Sequence, residues 1–125
     1  MGRLQGKAAI VVGASKRGNM GQVIARRYRD EGAKVVVAGR KEGPLAEFAA
    51  EIGGRYAVCD ITKKAEVDAL ADFAQADTGR IDVAVNCTGW GLLVKLMDTT
   101  EEQLDGLSAL QFKGPYFFLQ AFVGR

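Results

Sequence analysis

The residues best suited to a chemical task are three glycines, Gly13, Gly18 and Gly21, in a loop near the N-terminus. A glycine directly after a strand permits a tight turn, and a glycine at a helix start lets helix and strand approach closely. Unpaired N–H groups at that helix start can then face an anion such as a pyrophosphate. The pattern predicts a dinucleotide site, and a plain flexible turn is the alternative.

A strand and a helix must position this loop. The run Ala8 to Val12 is apolar and rich in β-branched residues, which predicts a strand buried on both faces of a parallel sheet. After the loop, apolar residues recur at Met20, Val23, Ile24 and Tyr28, the spacing of a helix. We therefore expect these four side chains to form the buried stripe of the first helix.

The same alternation of strand and helix continues to the end of the chain. Apolar runs predict three more strands, at Lys34 to Ala38, Arg55 to Cys59 and Ile81 to Asn86. Helical spacing predicts two more helices, each with a buried stripe. The first has Leu45, Phe48, Ala49 and Ile52 as its stripe and ends at Gly53-Gly54. The second runs from Lys63 to Ala76, is terminated by Gly79, and has the stripe Val67, Leu70, Ala71 and Ala74. Thr99 and Glu102 have capping-box spacing ahead of a last helix, which runs through Leu104, Leu107 and Leu110.

This element order predicts one α/β domain over residues 1–125, with a doubly wound parallel sheet of the Rossmann type. Right-handed crossovers place the strands in the order 3-2-1-4. A ligand then lies at the carboxyl ends of the strands, beside the switch point between strands 1 and 4. Gly13, Arg40, Asp60 and Asn86 are expected there.

The net charge of +2 is unevenly distributed over the 125 residues. Residues 1–45 carry ten Lys or Arg against three acids, whereas residues 46–125 carry seven against twelve. Of the early cations, Arg26, Arg27 and Arg29 are assigned to the solvated side of the first helix. Four others are expected to converge on cofactor phosphates: Lys16, Arg17, Arg40 and Lys41.

Composition also excludes several function classes. The chain has no histidine, so it cannot form a Cys/His zinc site or a Ser-His-Asp triad, and no metal is expected. Cys59 and Cys87 are interpreted as buried, reduced thiols. A basic run with interleaved aromatic residues, which nucleic-acid binding favours, is missing. No apolar run approaches the roughly 20 residues that span a membrane, and no signal-peptide layout is present, so we expect a cytoplasmic protein without a membrane partner.

The strand ends carry the residues that would select a cofactor. An acid after strand 2 typically binds the adenosine ribose of NAD, whereas this chain has Arg40 and Lys41 there, which favours NADP; a solvated turn is the alternative. Asp60 could accept from the adenine amino group while the Ile61 backbone packs on the ring, or it could be a turn residue.

The end of strand 4 carries a further set of candidates. Asn86 is expected to brace the sheet ends through its amide. Beyond it, backbone at Gly89 must approach the cofactor, and Trp90 either covers the core or contacts substrate.

Five segments carry a resemblance to a known family: GASKRGNMG, VVVAGR, CDIT, NCTG and QFKGPYFFLQA. In their order and spacing they resemble the N-terminal half of short-chain dehydrogenases/reductases. The resemblance covers essentially the whole chain. It implies hydride transfer between NAD or NADP and a carbonyl or alcohol of a small-molecule substrate, and homo-oligomers, dimers or tetramers, that assemble through the last helix and the next one. The resemblance assigns the cofactor-binding residues as Gly13, Ser15, Gly18, Met20, Gly21, Arg40, Asp60, Ile61, Asn86 and Gly89, beside the cations Lys16 and Arg17.

The chain departs from the family pattern in four ways. Its glycine loop is two residues longer than usual, as in the branch of enoyl-acyl carrier protein reductases, and Val12 replaces a common threonine. Gln111 stands where the family has a catalytic asparagine, which displaces the amide by about a methylene. The family's Ser and Tyr-x-x-x-Lys would lie beyond Arg125, so we expect the chain to stop inside its last helix. The interpretation is the cofactor half of an NADP-dependent reductase; an enoyl-thioester reductase and a non-catalytic dinucleotide-binding or scaffold module are the alternatives.

Overall fold

A four-stranded parallel sheet lies between two layers of helices. The computed structural model of the protein describes residues 2–89 and 92–124. Its elements are β1 (Ala8–Val12), α1 (Met20–Asp30), β2 (Lys34–Gly39), α2 (Glu42–Ile52), β3 (Arg55–Val58), α3 (Lys64–Thr78), β4 (Val83–Asn86), a 3₁₀ turn (Leu96–Asp98), α4 (Glu101–Ser108), a π turn (Ala109–Lys113) and α5 (Gly114–Phe122). The strand order is β3-β2-β1-β4, which confirms the predicted fold class and topology.

Strand β1 is the centre of the core, because every one of its residues is buried. Ile10 and Val12 face a cluster that includes side chains of α3 and α5. Ala9 and Val11 face the opposite cluster, which includes side chains of α1 and α2. Burying one large apolar side chain contributes about 1.5–3 kcal/mol, so this two-sided burial holds the sheet between its helix layers.

Helices α2 and α3 bury the predicted stripes. The buried residues are Leu45, Phe48, Ala49 and Ile52 in α2, and Val67, Leu70, Ala71 and Ala74 in α3. Each helix is followed by a glycine in the left-handed region, Gly53 at φ 66° and Gly79 at φ 80°. Both helix ends are therefore where the sequence predicted them, because glycine adopts this conformation without steric cost.

The buried face of α1 differs from the prediction. Met20 is 71% exposed and Val23 is 60% exposed, whereas the buried residues are Gly21, Gln22 and Ala25. The physical reason is the small size of Gly21 and Ala25, which lie one turn apart and let the helix approach the loop and sheet closely. Ile24 and Tyr28, the other two predicted residues, are partly buried and pack against the core. Apolar periodicity weights large side chains, so the prediction was wrong for Met20 and Val23 only.

The last helical region is divided into three parts. The Gly114 N–H donates to the Ala109 carbonyl, five residues back, which makes the segment between them a π turn. Pro115 follows directly; it has no N–H to donate to the Gln111 carbonyl, and its ring would clash with that carbonyl in a regular helix. The predicted last helix is therefore present from Glu101 to Phe122 but contains a π turn, and Gln111 lies inside that turn.

The capping box of α4 also lies one residue later than predicted. It pairs Thr100 with Gln103, whereas the sequence favoured Thr99 and Glu102. The Thr99 hydroxyl donates to the Lys95 carbonyl at 3.0 Å, so it is engaged in closing the preceding 3₁₀ turn.

Smaller differences concern strand lengths and one cysteine. Strand β2 includes Gly39, β3 ends before Cys59, and β4 begins at Val83. Cys59 is buried as predicted, but Cys87 is only half-buried, since it follows an outer strand of the sheet. No helix in the described part of the chain combines the length and hydropathy that crossing a membrane requires.

Candidate functional site

The carboxyl ends of all four strands meet at one edge of the sheet. Past the strand ends, the Gly13 N–H donates to the Ala38 carbonyl and the Cys87 N–H to the Val12 carbonyl, both at 2.8 Å. The Cys59 N–H likewise donates to the Gly39 carbonyl at 2.8 Å. These hydrogen bonds hold the loops after β1, β3 and β4 beside their neighbouring strands, so the predicted residues of this edge are brought together.

Gly13 makes the turn out of β1, and no other residue fits there. Its φ is 96°, in the left-handed region. A Cβ at this position would lie 2.8 Å from the carbonyl carbon of Cys87 and 2.9 Å from the Thr88 nitrogen. The loop after β4 therefore packs directly against the turn after β1, which requires a glycine.

Gly21 brings the first turn of α1 against the same turn. A Cβ on Gly21 would overlap the Gly13 carbonyl oxygen. Gly18 has a different requirement, a φ of 72° with open space around it. Among the residues that the structure describes, the N–H groups of Met20 and Gly21, the first two of α1, have no hydrogen-bond partner. The loop thus presents free donors at the positive end of a helix dipole, which suits an anion.

A buried hydroxyl lies beside this loop. Ser15 Oγ is the one buried side-chain oxygen or nitrogen without a hydrogen-bond partner in residues 2–89 and 92–124. A Cβ on Gly39, at the end of β2, would overlap it. Leaving a buried polar group unpaired costs about 1–3 kcal/mol, so a polar atom of a bound molecule or water would stabilise this hydroxyl.

Ser15 also borders an open cleft of about 380 Å³ between α1 and α2. The residues that line the cleft are Ser15, Arg17, Gly18, Gln22, Val23, Arg26, Arg27, Asp30, Pro44, Glu47, Phe48 and Glu51. Arg26 is held there by an ion pair with Glu51 at 3.1 Å, and its guanidinium lies 5.3 Å from the centre of the Phe48 ring. Arg17, in the glycine loop, lines this cleft, whereas Lys16 is exposed outside it.

Asp60 forms a turn directly after β3. Its Oδ1 accepts from the Thr62 N–H at 3.0 Å and from the Thr62 hydroxyl at 2.7 Å. Burial raises the pKa of Asp60, but the hydrogen bonds from Thr62 and the charges of Arg40 and Lys63 outweigh it and hold the pKa below its usual value. The hydrogen bonds to Oδ1 confirm that Asp60 forms a turn. Oδ2 has no hydrogen-bond partner in the described part of the chain.

This turn predicts a pH dependence of stability. Because the pKa of Asp60 is lower in the folded protein than in the unfolded chain, the carboxylate stabilises the fold above its unfolded pKa of about 3.9. That contribution is lost as the pH falls through the folded pKa. The difference in free energy of unfolding between the unaltered protein and Asp60→Asn should be larger at pH 7 than at pH 3, measured by urea unfolding at both values. An equal difference at the two pH values would contradict the prediction.

The loop after β4 repeats this turn with an amide. Asn86 Oδ1 accepts from the Thr88 N–H at 3.0 Å and from the Thr88 hydroxyl at 2.6 Å. The side chain therefore braces the strand end, as predicted. Gln111 lies across from this loop, since a Cβ on Gly89 would be 3.8 Å from Gln111 Oε1. The π turn thus places the Gln111 amide beside exposed backbone that follows β4.

Ile61 connects the loop after β3 to the last helix. Its side chain is buried, and a Cβ on Gly114 would lie 2.9 Å from Ile61 Cγ2. Because the side chain is used in the core, only the backbone of Ile61 is available to a ligand. Arg40 and Lys41 are exposed at the neighbouring end of β2, and the prediction for Trp90 falls outside the described residues.

The environments of the two cysteine thiols favour their protonated form. Burial raises the pKa of Cys59 to about 11, with the nearby charges of Glu66 and Asp60 acting in the same direction. Burial also raises the pKa of Cys87. Both groups are therefore protonated near neutral pH. Within residues 2–89 and 92–124, no group of three or more Cys, Asp or Glu side chains is placed to hold a metal ion.

Sequence reasoning missed two residues of the site, Asn19 and Gln22. Asn19 caps α1, since its Oδ1 accepts from the Gln22 N–H at 2.9 Å. Gln22 is 5% exposed, and its amide bonds to the loop backbone. The available signal was an asparagine directly before the predicted helix with a glutamine three residues later, the spacing of a capping box.

Comparison with known proteins identifies relatives of this arrangement. A family described as enoyl-(acyl carrier protein) reductase matches residues 13–124. The (5R,7aS)-5-hydroxy-7a-methyl-1-oxo-2,3,5,6,7,7a-hexahydro-1H-indene-carboxyl-CoA reductase of Mycobacterium tuberculosis is 42% identical over 110 residues, which are 83% of this chain and 42% of that protein. An uncharacterized oxidoreductase of Staphylococcus epidermidis is 32% identical over 97% of this chain and 53% of its own length. The chain spans about half the length of the curated relatives it matches.

Solved structures have the same fold. A short-chain dehydrogenase from Mycobacterium smegmatis superposes with a TM-score of 0.91 at 33% identity, covering 97% of this chain and 52% of that one. A metagenomic short-chain oxidoreductase in complex with NADP gives a TM-score of 0.84 at 35% identity, covering 95% of this chain and 56% of that one. The family match over residues 13–124, together with the superposition over 97% of the chain, makes this chain a member of the short-chain dehydrogenase/reductase family of oxidoreductases.

Proposed function

We propose that the chain is the NADP(H)-binding half of an oxidoreductase that transfers a hydride between NADP(H) and a carbonyl or alcohol. The observation that carries the proposal is the unpartnered hydroxyl of Ser15, buried between the glycine loop and the end of β2. Ser15 lies in the loop that leads to the free N–H groups of α1 and lines the same cleft as Arg17, and Arg40 directly follows Gly39 in the chain. Donors of this kind fit the phosphates and ribose of a dinucleotide.

The other residues of the sheet edge fit the remaining parts of the dinucleotide. Asp60 Oδ2 and the backbone of Ile61 would bind the adenine. Asn86 and Gly89 would line the opposite side of the switch point, near the nicotinamide ribose. The nicotinamide, when bound, supplies the hydride, and the described residues orient it. The cofactor-binding assignments for Gly13, Gly18, Met20 and Gly21 rest on the shape of the loop and its free N–H groups.

The preference for NADP over NAD is supported by the end of β2. An acid that binds the adenosine ribose of NAD would have to be placed beside Ser15, but a Cβ on Gly39 already overlaps that hydroxyl. The next residue, Arg40, is exposed and close enough to Asp60 to help lower its pKa. A guanidinium at this position suits a 2′-phosphate.

Exposed apolar side chains in and beside α5 support a proposal for assembly. Phe112 in the π turn, Tyr116 and Leu119 in α5, and Val123 directly after it are 71%, 58%, 57% and 73% exposed, at intervals of three or four residues. The opposite face packs Phe118 and Phe122 into the core. Such a stripe favours a helix partner, in line with the family's assembly as dimers or tetramers through this region.

An enoyl-thioester reductase is the second candidate. The description of the matched family, the longer glycine loop and the CoA-ester reductase among the relatives all favour it. In the first candidate the catalytic Ser and Tyr-x-x-x-Lys of the family would follow this chain, and Gln111 would occupy the asparagine position. The two differ in the bond that is reduced, a C=O or a conjugated C=C.

Titration of the full-length protein with NADPH and NADH tests the proposal. We expect tighter binding of NADPH, followed by nicotinamide fluorescence. Turnover of a ketone and of an enoyl-CoA, followed by nicotinamide absorbance, then separates the two candidates. Failure to bind either dinucleotide would overturn both, and equal affinity for the two dinucleotides would overturn the NADP preference alone.

A further inference from the structure

Two side chains at the start of α1, which we call the loop bracket, tie the glycine loop to the helix. They are Asn19 and Gln22. Asn19 Nδ2 donates to the Gly13 carbonyl at 2.9 Å, and Gln22 Nε2 donates to the Ala14 carbonyl at 2.9 Å. The Gly18 N–H donates to Gln22 Oε1 at 3.0 Å. The loop bracket is therefore hydrogen-bonded to the start of the loop, at Gly13 and Ala14, and to its later part, at Gly18.

Gln22 does more than cap a helix. It is the third residue of α1, as Gln103 is of α4, but the two amides act differently. Gln103 Oε1 accepts from the N–H of the capping residue Thr100, as in an ordinary capping box. Gln22 instead accepts from Gly18, outside the helix, and also donates to the loop. Gln22 is moreover the one buried polar or charged residue in the described part of the chain.

These hydrogen bonds set the direction of the loop's peptide dipoles. In a trans peptide the C=O and the N–H point in opposite directions. Because Gln22 holds the Ala14 carbonyl toward α1, the Ser15 N–H of the same peptide points away from Gln22. Asn19 likewise engages the Gly13 carbonyl, and the Ala14 N–H of that peptide donates to the Ala38 carbonyl at 3.1 Å. Two carbonyl oxygens that would repel an anion are thus engaged by side-chain amides, and the Ser15 N–H and the free N–H groups at the start of α1 remain for it.

We propose that Asn19 and Gln22 are positioning residues that keep the glycine loop in the polarity required for a dinucleotide pyrophosphate. The inference rests on the proposed function of the loop. It also accounts for the loop's length, which exceeds the usual family spacing by two residues. A longer loop has more conformations to lose on ordering, and a buried amide that bonds both of its ends restricts them before the ligand arrives.

The test is the substitution Gln22→Met in the full-length protein, which keeps the volume and removes the amide. We expect the Kd for NADPH to rise about tenfold, as the loss of the two amide hydrogen bonds predicts. The Kd for adenosine, measured by competition, should change less than twofold, because adenosine carries no phosphate. Gln103→Met is the matched control, and it should leave both constants unchanged.

Asn19→Ser provides a second variant if Gln22→Met does not fold. Serine retains the helix cap but is too short to reach the Gly13 carbonyl in the same way. We expect a Kd for NADPH about threefold higher, with an unchanged melting temperature.

The possible outcomes distinguish a failure of the positioning role of Asn19 and Gln22 from a failure of the proposed function. Unaltered protein that binds neither NADPH nor NADH would overturn the proposed function and this inference together. Unaltered protein that binds NADPH, with a folded Gln22→Met that binds it equally well, would overturn the inference alone. Equal weakening of NADPH and adenosine, together with a lower melting temperature, would also overturn it, because that result describes a purely structural residue.

Discussion

Replacing Gly21 by alanine is expected to weaken NADPH binding at least about tenfold and to lower the free energy of unfolding by about 1–3 kcal/mol. The added Cβ would overlap the Gly13 carbonyl oxygen, which is backbone and cannot rotate away. The first turn of α1 must then move from β1, and its free N–H groups move with it. The two effects are measured by NADPH titration and urea unfolding of the full-length protein.

Gly43→Ala is the matched control for this substitution. Gly43 lies in the first turn of α2, and nothing lies within 4 Å of its Cβ position. Alanine is the better helix former, so we expect this variant to be unchanged or more stable by up to about 1 kcal/mol. A Gly21→Ala protein that matched Gly43→Ala in stability and NADPH affinity would contradict the close approach of helix and loop.

Replacing Arg40 by alanine is expected to raise the Kd for NADPH roughly thirtyfold and to change the Kd for NADH less than twofold. A hydrogen bond to a charged group contributes about 1.5–3 kcal/mol, and NADH carries no 2′-phosphate for the guanidinium to bind. The selectivity should shrink at high salt, because Arg40 is exposed and ions screen its charge.

Arg55→Ala controls for the loss of a positive charge. Arg55 begins β3, at the end of the sheet opposite the cofactor edge, and pairs with Asp77 at 3.3 Å across an exposed surface. Its removal should leave both dissociation constants unchanged. If Arg40→Ala weakened NADPH and NADH equally, Arg40 would bind a feature common to both dinucleotides, and the structural argument for NADP would fall.

The candidate site was partly predictable because its glycines carry a local signal. A turn after β1 and a close helix start require glycine at Gly13 and Gly21, whatever the rest of the chain does. The brace at Asn86 and the turn at Asp60 follow from side chains that bond two residues onward. The orphaned hydroxyl of Ser15 could not be predicted, because its burial depends on the end of β2, which lies more than twenty residues away in the chain.

The sequence by itself determined the sheet order, the stripes of α2 and α3 and the ends of these helices at Gly53 and Gly79. The stripes and helix ends depend on residues within a few turns of one another, where periodicity and backbone preference dominate. The sheet order follows from the alternation of strands and helices together with the right-handedness of their crossovers. The tertiary structure alone decided that α1 buries Gly21 and Gln22 instead of Met20 and Val23. The buried face of α1 depends on how closely the helix packs against the turn at Gly13, which itself contacts the loop after β4. Small side chains permit this close packing, and a search for periodic large apolar residues does not detect them.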